Sequence, residues 1–317
     1  MTSAIIRRVD PSDDTGVAAY VRIRNAVMPD SPDSMERVAW EDAAYPGGIH
    51  RFLAQRRGEA VGTALAGRAH MHGPGYPRYW FGIWVVPEAR RAGIGSALLD
   101  VLSEAARAAG KTGFRTMLSE VHAEGHRFLA ARGFVEVDRM RQVRLDLRGL
   151  EVPPVAPPPG IALVTLAERP GLVPAVHGVA METFPTIPTS GEPMDAGSFD
   201  EFVAREVERA GVPGDAFEVA LDEASGEAVG YASLVLSPGS TTVAYHAMTA
   251  VRPAYRGRGI ATALKRATIA WAIGHGLETL ETSNDVDNVP MRAVNAALGY
   301  EPMPALIGLQ GPLAAPR

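Results

Sequence analysis

The chain carries Pro87-Glu88-Ala89-Arg90-Arg91-Ala92-Gly93-Ile94-Gly95-Ser96-Ala97-Leu98 and, 166 residues further on, Pro253-Ala254-Tyr255-Arg256-Gly257-Arg258-Gly259-Ile260-Ala261-Thr262-Ala263-Leu264. Both copies follow an apolar run that is typical of a β-strand, and both open an amphipathic helix. Each copy therefore places a Gly-rich turn at a helix N-terminus, where backbone N–H groups can hold an anion.

The repeat extends well beyond these turns. The same offset carries Tyr79 onto Tyr245 and Arg132-Gly133-Phe134 onto Leu298-Gly299-Tyr300, and upstream Gly58-Glu59-Ala60-Val61-Gly62 recurs unchanged as Gly226-Glu227-Ala228-Val229-Gly230. An ordered repeat of this length predicts a duplicated domain rather than a solenoid. We expect an N-terminal domain over 1–149, a semi-rigid Pro-rich linker over 150–160 and a C-terminal domain over 161–317.

Each half shows the same order of structural patterns. A short strand leads to helical segments and then to a hairpin, which turns at Arg57-Gly58 in the first half and at Ser225-Gly226 in the second. A further strand ends at the repeated turn and is followed by a long helix, another strand and a short last helix. The pattern predicts a mixed α/β (α+β) fold in which helices flank a mostly antiparallel sheet.

Composition narrows the class of protein. The 317 residues are 46% hydrophobic and 21% charged, and no apolar run approaches the ~20 residues of a membrane span. Neither an export signal nor any cysteine is present, so we expect a cytoplasmic protein without disulfides or thiolate metal sites. A net charge of −5 argues against nucleic acid as the main partner.

The turns fit one of three phosphate-binding loops. Neither copy has the Gly-Lys-[Ser/Thr] of a P-loop, and neither follows the first strand of a βαβ unit with the third glycine of a dinucleotide-binding turn. The loop that binds the pyrophosphate of coenzyme A remains. Four histidines at 70, 72, 122 and 126 have neither the spacing nor the acidic partners of a metal site, so no metal is expected.

Both halves resemble the GNAT superfamily of acyl-CoA-dependent N-acetyltransferases. The resemblance rests on Arg90-x-x-Gly93-x-Gly95, on Arg256-x-x-Gly259-x-Ala261 and on the pattern Asn284-x-x-x-Asn288-x-x-Met291-x-x-x-Asn295 before Leu298-Gly299-Tyr300. It covers nearly the whole chain as two tandem copies, an arrangement similar to that of mycothiol synthase and of two-domain acetyltransferases of antibiotic pathways. The resemblance implies a tandem acetyltransferase that uses acetyl-CoA.

The resemblance also implies which residues bind coenzyme A. Turn amides would donate to the pyrophosphate, and the pantetheine arm would run along the strand that ends at the turn. The expected contacts in the second half are Val251, Arg256, Gly257, Arg258, Gly259, Ile260, Ala261, Thr262 and Asn288. Those in the first half are Val85, Arg90, Arg91, Ala92, Gly93, Ile94, Gly95 and Ser96.

Side chains on the strand before each turn suggest which half is catalytic. Because side chains of a strand alternate faces, one face reads Tyr245, Ala247, Thr249 and Val251 in the second half, and a bulkier Tyr79, Phe81, Ile83 and Val85 in the first. If this face looks into the acyl-transfer cleft, the second half has room for an acceptor, with Tyr245, Thr249, Asn284 and Asn295 as its catalytic candidates. The alternation equally fits ordinary core variation.

By resemblance, Tyr245 and Tyr79 stand where some relatives have a Glu general base, and Asn295 and Leu129 stand where some have a general-acid Tyr. A tyrosine with a pKa near ~10 is a poor base, so we expect a water chain oriented by Tyr245 to remove the proton of the amine. Asn284 could contact the acceptor or cap a loop, and Asn288 could cap the last helix or contact the cofactor. His246 is expected on the opposite face, as a packed histidine.

We therefore expect acetyl transfer to the primary amine of a small molecule by direct attack on the thioester, in the second half of a monomer or homodimer. The first half would be a degenerate copy. Two alternatives stay open at this stage: a non-catalytic acyl-CoA sensor or scaffold, and an acetyltransferase for protein lysines or N-termini. The Pro-rich segment 185–193 disfavours the protein acceptor because it resembles a cover over a small cleft.

Overall fold

The computed structural model describes residues 4–45 and 48–316 and divides the chain into two compact units. The first unit contains Met1–Val137 and Ile307–Arg317, and the second contains Asp138–Leu306. Each is a mostly antiparallel sheet with flanking helices, which confirms the predicted fold class. Among the helices of the described residues, none is long and apolar enough to cross a membrane.

The first unit follows the predicted order of elements. They are β1 (Ile5–Val9), α1 (Asp14–Val27), α2 (Met35–Ala44), β2 (Ile49–Arg56), β3 (Glu59–Arg68), β4 (Arg78–Val85), α3 (Ile94–Ala108), β5 (Gly113–Ser119) and α4 (Ala123–Ala130). Next comes β6 (Val135–Asp146), which belongs to the second unit from Asp138 onward.

The second unit repeats this order. Its elements are β7 (Ile161–Thr165), α5 (Val173–Thr183), α6 (Phe199–Phe202), β8 (Glu218–Asp222), β9 (Ala228–Leu236), β10 (Val243–Val251), α7 (Ile260–Gly274), β11 (Thr279–Asp285), α8 (Val289–Ala297) and β12 (Glu301–Pro302). The last strand, β13 (Leu306–Pro312), lies in the first unit from Ile307 onward.

The strand orders of the two units match. They are β1-β2-β3-β4-β5-β13 in the first and β7-β8-β9-β10-β11-β6 in the second. The pairs β4–β5 and β10–β11 are parallel, whereas the hairpins β2–β3 and β8–β9 are antiparallel. Arg57 and Gly58, with φ of 55° and 84°, make the tight turn that the sequence predicts for the first hairpin.

Helix packing follows the apolar periodicity of the sequence. In α3, buried residues recur at helical spacing and include Leu98 and Leu102, and α7 buries Leu264 in the same way against Val251 of the sheet. On the opposite side of the first sheet, Tyr20 of α1 packs edge-on against Trp84 at 6.3 Å between ring centroids. Each strand that ends at a Gly-rich turn is therefore held between a long helix and the helices that precede it.

The two compact units are not continuous segments of the chain, whereas the domains expected from the sequence are. Residues 140–146 of β6 pair with Thr279–Asp285, so this strand completes the second unit. The segment after β13 is tied to α3, where the amide of Ala314 donates to the Ser103 hydroxyl at 2.9 Å and Arg107 donates to the Ala314 carbonyl at 2.6 Å. Each half of the sequence thus supplies its last strand to the other unit.

The close packing of β13 gives a test of this exchange. A Cβ on Gly311 would lie 2.4 Å from the Phe134 ring, whereas one on Gly75 would meet nothing within 4 Å. We expect Gly311→Ala to lower the free energy of unfolding by about 1–3 kcal/mol through overpacking, and Gly75→Ala to change it by less than about 0.5 kcal/mol. Urea unfolding measures both, and hydrogen exchange should show the loss of protection in β5. Equal effects of the two variants would contradict the placement.

Candidate functional site

Each Gly-rich turn has the backbone geometry of an anion-binding nest. Gly93 and Gly259, with φ of 81° and 86°, precede α3 and α7 as left-handed N-cap residues, and neither helix has a side-chain cap. Two positions earlier, Arg91 and Gly257 also have positive φ, at 61° and 75°. Alternating left-handed residues turn successive N–H groups toward one concavity. A Cβ on either N-cap glycine would meet no atom within 4 Å, so the approach is open.

The first amides of α7 are free to donate to a ligand. Ala263 N–H bonds to the Gly259 carbonyl, so helical bonding begins one turn into the helix. The amides of Ile260, Ala261 and Thr262 precede that bond and have no carbonyl partner within the helix. The positive end of the helix dipole favours an anion at this place. The amides of Ile260, Ala261 and Thr262, three of the predicted cofactor residues, therefore form one donor surface.

In each copy, the arginine at the start of the repeated motif holds the turn to the end of its strand. Arg256 Nε donates to the Val251 carbonyl at 3.0 Å, and Arg90 Nε donates to the Val85 carbonyl at 3.1 Å. Arg256 also donates to Thr186 at 2.7 Å, while Arg90 pairs with Glu124 at 2.9 Å. Their guanidinium groups thus have a structural partner before any ligand binds.

Beside each turn, two parallel strands part. β10 and β11 pair only from Val243 to Tyr245, and β4 and β5 only from Arg78 to Trp80. Beyond these three residue pairs, each unit has a wedge between strands that opens toward the turn, which we call the splay. Backbone groups along the splay have no partner strand, so a ligand with amide groups can hydrogen-bond there.

A β-bulge distinguishes the second splay from the first. β10 pairs with β9 through His246↔Leu234 and Thr249↔Ala232, so two residues of β10 lie opposite one residue of β9. β4 pairs with β3 without interruption from Val85 to Tyr79. Bulges redirect side chains and are frequent next to active sites. This one lies just past the last residue that pairs with β11.

The bulge corrects two expectations from the sequence. Thr249 and Val251 share the face of His246, whereas Tyr245 lies on the opposite face, so the predicted face of Tyr245, Ala247, Thr249 and Val251 is wrong. The extra residue also shifts the correspondence between the units by one. Trp80, rather than Tyr79, takes the place of Tyr245, because each is the last residue of its strand in the parallel pair.

Tyr245 is held by a neighbour on β11. Its hydroxyl and that of Ser283 share a hydrogen bond of 2.6 Å. Burial raises the pKa of Tyr245 above its usual value, so the phenol stays protonated at neutral pH. Tyr245 can therefore orient a polar group but is not itself a base at neutral pH.

The other catalytic candidates, Thr249, Asn284 and Asn295, lie on the α7 side of the splay. Asn295 Nδ2 donates to Asn284 Oδ1 at 2.6 Å, and Asn295 is only 2% exposed. In the described part of the chain, Asn295 Oδ1 and Thr249 Oγ1 are buried without a hydrogen-bond partner. Buried polar atoms of this kind usually have a partner, so both atoms are available to a polar ligand that enters the splay. Asn288 caps α8 by accepting from the Met291 amide at 3.3 Å.

In the first unit, a cleft of about 800 Å³ lies at the turn and along the splay. Of the expected coenzyme A contacts, its lining includes Val85, Arg90, Arg91, Gly93, Ile94, Gly95 and Ser96, and omits Ala92. Leu118 and Leu129 line it at the positions that Asn284 and Asn295 hold in the second unit. The Trp84 ring lies across Gly82. In the second unit, Ala250 takes the position of Trp84 after the bulge.

The lining of this cleft also includes Phe128 and Arg132, which the sequence analysis did not assign to a site. Arg132 stacks on the Phe128 ring at 3.6 Å and donates to the Ser96 hydroxyl at 2.7 Å. The offset of 166 assigns Leu298 to the position of Arg132, so the arginine is particular to the first copy.

A buried polar cluster lies under the second splay and consists of His246, Lys265, Thr268 and Tyr300. Thr268 donates to the Lys265 carbonyl at 3.0 Å, so His246 Nε2 donates to Thr268 at 2.9 Å and Nδ1 accepts from the Tyr300 hydroxyl at 2.9 Å. Burial lowers the pKa of His246 well below its usual value, which keeps the ring neutral. His246 is thus a packed histidine, as expected from the sequence.

The first unit fills the same four positions with apolar side chains, Phe81, Leu99, Leu102 and Phe134. Comparing the two copies by their offset would have revealed this contrast at Lys265, Thr268 and Tyr300, whereas the bulge hides it at His246. No group of three or more His, Asp or Glu side chains within residues 4–45 and 48–316 could hold a metal ion.

Comparisons with known proteins agree with this architecture. A sequence model of the Acetyltransferase (GNAT) family matches residues 19–134 and 183–300, well over half of the chain. A search of proteins with curated functions finds no significant match. A solved tandem GNAT protein from the clavulanic acid biosynthesis pathway is similar with a TM-score of 0.78 and 22% identity, over 99% of this chain and 100% of the other.

Two other solved structures share the fold. A GCN5-related N-acetyltransferase from Sphaerobacter thermophilus has a TM-score of 0.72 at 19% identity and covers 99% of this chain and 97% of its own. A glucosamine N-acetyltransferase region of a fungal multi-domain β-N-acetylglucosaminidase also has a TM-score of 0.72, at 13% identity, over 98% of this chain and 38% of the other.

The hydrogen bond between His246 and Tyr300 can be tested by a double-mutant cycle. Tyr300→Phe leaves His246 Nδ1 buried without a donor, and we expect this to lower the free energy of unfolding by about 1–3 kcal/mol. His246→Phe combined with Tyr300→Phe restores the aromatic pair of the first unit and should cost less than the two single changes added together, with a coupling of about 0.5–3 kcal/mol. Urea unfolding of the four proteins measures the coupling, and additive costs would show that the bond contributes nothing.

Proposed function

The chain belongs to the acetyltransferase (GNAT) family, and we propose that its second unit transfers an acetyl group from acetyl-CoA to the primary amine of a small molecule. Members of this family transfer acyl groups from acyl-CoA. The residues of the site should therefore be those that an acyl transfer requires. The observation that carries the assignment to the second unit is the pair of buried, unsatisfied polar atoms in its splay, Asn295 Oδ1 and Thr249 Oγ1.

In the proposed complex, the turn amides of 257–262 receive the pyrophosphate, and pantetheine lies in the splay beside Val251 and Thr249. The hydroxyl of Thr249 and the amide oxygen of Asn295 then have partners among the amide groups of pantetheine. In this complex, backbone N–H groups at the bulge after His246 stabilise the thioester oxygen as it becomes negative. Each predicted cofactor residue thus serves by its backbone more than by its side chain.

The chemical step is direct attack of a free amine. The nitrogen forms a bond to the carbonyl carbon, the carbon–sulfur bond breaks, and the electron pair leaves on sulfur. Since Tyr245 keeps its own proton, the proton of the amine leaves through water, and the hydroxyls of Tyr245 and Ser283 orient that chain. No covalent enzyme intermediate is required, and the chain has no cysteine to form one.

The Pro-rich segment after α5 supports a small acceptor. Ser190 donates to Asp285 Oδ2 at 2.8 Å, which ties the segment to the end of β11. On the other side of the splay, Thr186 accepts from Arg256 at the turn. A segment held at both edges of the splay covers the approach to it, which favours a small amine over a protein lysine or N-terminus.

For the first unit we propose acyl-CoA binding without transfer. Its cleft of about 800 Å³ is large enough for a coenzyme and lies at a turn with the same left-handed residues. Its β4 has no bulge, however, and Leu118 and Leu129 have no polar atoms to offer a thioester. The sensor or scaffold function therefore applies to this unit, while the second unit carries the reaction.

Four glycine variants test this division of roles. Gly259→Glu and Gly93→Glu place a carboxylate in each nest, and Gly276→Glu and Gly110→Glu are matched controls at the C-terminal ends of α7 and α3. All four glycines have positive φ, from 72° to 86°, and none has an atom within 4 Å of the added Cβ, so backbone strain is similar. We expect Gly259→Glu to reduce transfer to amines at least tenfold and Gly93→Glu to retain it.

Calorimetric titration with acetyl-CoA should show one site lost in each nest variant and none lost in the controls. Transfer is followed by the release of coenzyme A thiol, for which a protein without cysteine has no background. Transfer that survives Gly259→Glu but is abolished by Gly93→Glu would place the reaction in the first unit. Binding at both turns with no transfer to any amine of a broad library would favour the sensor.

A further inference from the structure

Lys265 of the polar cluster is a buried lysine. The residue is 2% exposed, and no carboxylate of the described residues pairs with its amino group, so burial alone shifts its pKa. Burying an unpaired charge is costly, so such a group rarely persists without a role. The fold itself does not require it, because the first unit packs Leu99 at the same position of α3.

The lysine lies at the inner end of the second splay. Its Nζ is 5.3 Å from the centre of the Tyr300 ring, and the hydroxyl of that ring bonds to His246. His246 is the first residue of β10 beyond its pairing with β11, and its carbonyl accepts from the Thr282 hydroxyl at 3.0 Å. These contacts place the cluster that contains Lys265 beside the point where the strands part.

A polar wall continues from this cluster toward the turn. It consists of Thr249 of β10, Asn284 of β11 and Asn295 of α8, all on the face that α7 covers. The first unit has Ile83, Leu118 and Leu129 in these places. At these three positions polarity is confined to the second unit, and the first unit folds with apolar side chains in their place.

Most groups of this wall and of the polar cluster cannot supply a proton to a leaving thiolate. The amides of Asn284 and Asn295 do not ionise. His246 is neutral, with both ring nitrogens engaged, and burial raises the pKa of Tyr300 above its ordinary value. Burial lowers the pKa of Lys265 to about 7, so its ammonium gives up a proton near neutral pH.

We infer that Lys265 is the general acid of the second unit, whose ammonium stabilises the departing thiolate of coenzyme A and protonates it. In this step the amine nitrogen bonds to the carbonyl carbon, the carbon–sulfur bond breaks, and the sulfur takes a proton from Lys265. The amine loses its own proton to water, and the neutral lysine regains one from solvent. The inference rests on the proposed function of the second unit and supplies the acid that no tyrosine provides at position 295.

The lysine must be protonated before the step, so kcat should fall as pH rises through its titration. The deprotonated amine gives the opposite limb, and the profile is bell-shaped. We expect Lys265→Met to lower kcat by about a hundredfold and to remove the alkaline limb, while Lys265→Arg keeps the charge but cannot release a proton near neutrality. Arg266→Met, which removes a neighbouring cation on α7, is the control and should match the wild type.

A second measurement does not depend on transfer. In the Gly93→Glu variant, only the second site can bind the cofactor. There, free coenzyme A should bind more tightly than desulfo-coenzyme A, and this preference should grow as the pH rises toward the pKa of the thiol. Lys265→Met should abolish this preference and leave the affinity for desulfo-coenzyme A unchanged. The same variant should not unfold more easily, because it removes an unpaired buried charge.

Equal affinity for the two ligands in the wild-type second site would overturn the inference, as would an unchanged pH profile in Lys265→Met. These results are distinct from a failure of the proposed function. If thiol preference and its loss in Lys265→Met are observed but no amine accepts an acetyl group, Lys265 has its assigned partner and the acceptor assignment is wrong.

Discussion

The site in each unit depends on the parting of two parallel strands after three residue pairs. Backbone N–H and C=O groups along parted strands lose their sheet partners, which is costly unless water or a ligand replaces them. The left-handed turn stands at the open end of the same wedge and supplies further free amides. One backbone arrangement therefore provides both an anion nest and an extended groove.

Because the domain is duplicated, equivalent positions of the two units can be compared within one chain. Both units keep the turn, the splay and the long helix, so these features belong to the fold. The units differ in the layer under the long helix. The first unit has Phe81, Leu99 and Phe134 there, and the second has a hydrogen-bonded cluster around His246 at the equivalent positions. The first unit folds with an apolar layer at these positions, so the fold does not require the polar layer of the second unit.

The bulge in β10 connects these differences. One extra residue changes which side chains face α7, so His246 and Thr249 point toward the helix and Tyr245 points away. A strand without the bulge would have turned Tyr245 toward the core, as Tyr79 is in the first unit. The bulge therefore sets which side chains of β10 accompany Asn284 and Asn295 on the face that α7 covers.

The sequence by itself determined the duplication, the hairpins, the glycine turns and the residues around them, because these depend on local patterns of glycine, apolar spacing and repetition. It also singled out Asn284 and Asn295, whose contact the structure shows. Only the tertiary structure decided that β6 and β13 are exchanged, since pairing between distant strands leaves no local signal. It alone revealed the bulge, because one extra residue in a strand moves every side chain before it to the other face of the sheet. It alone revealed the surroundings of Lys265, because burial depends on what packs against a side chain rather than on its neighbours in the chain.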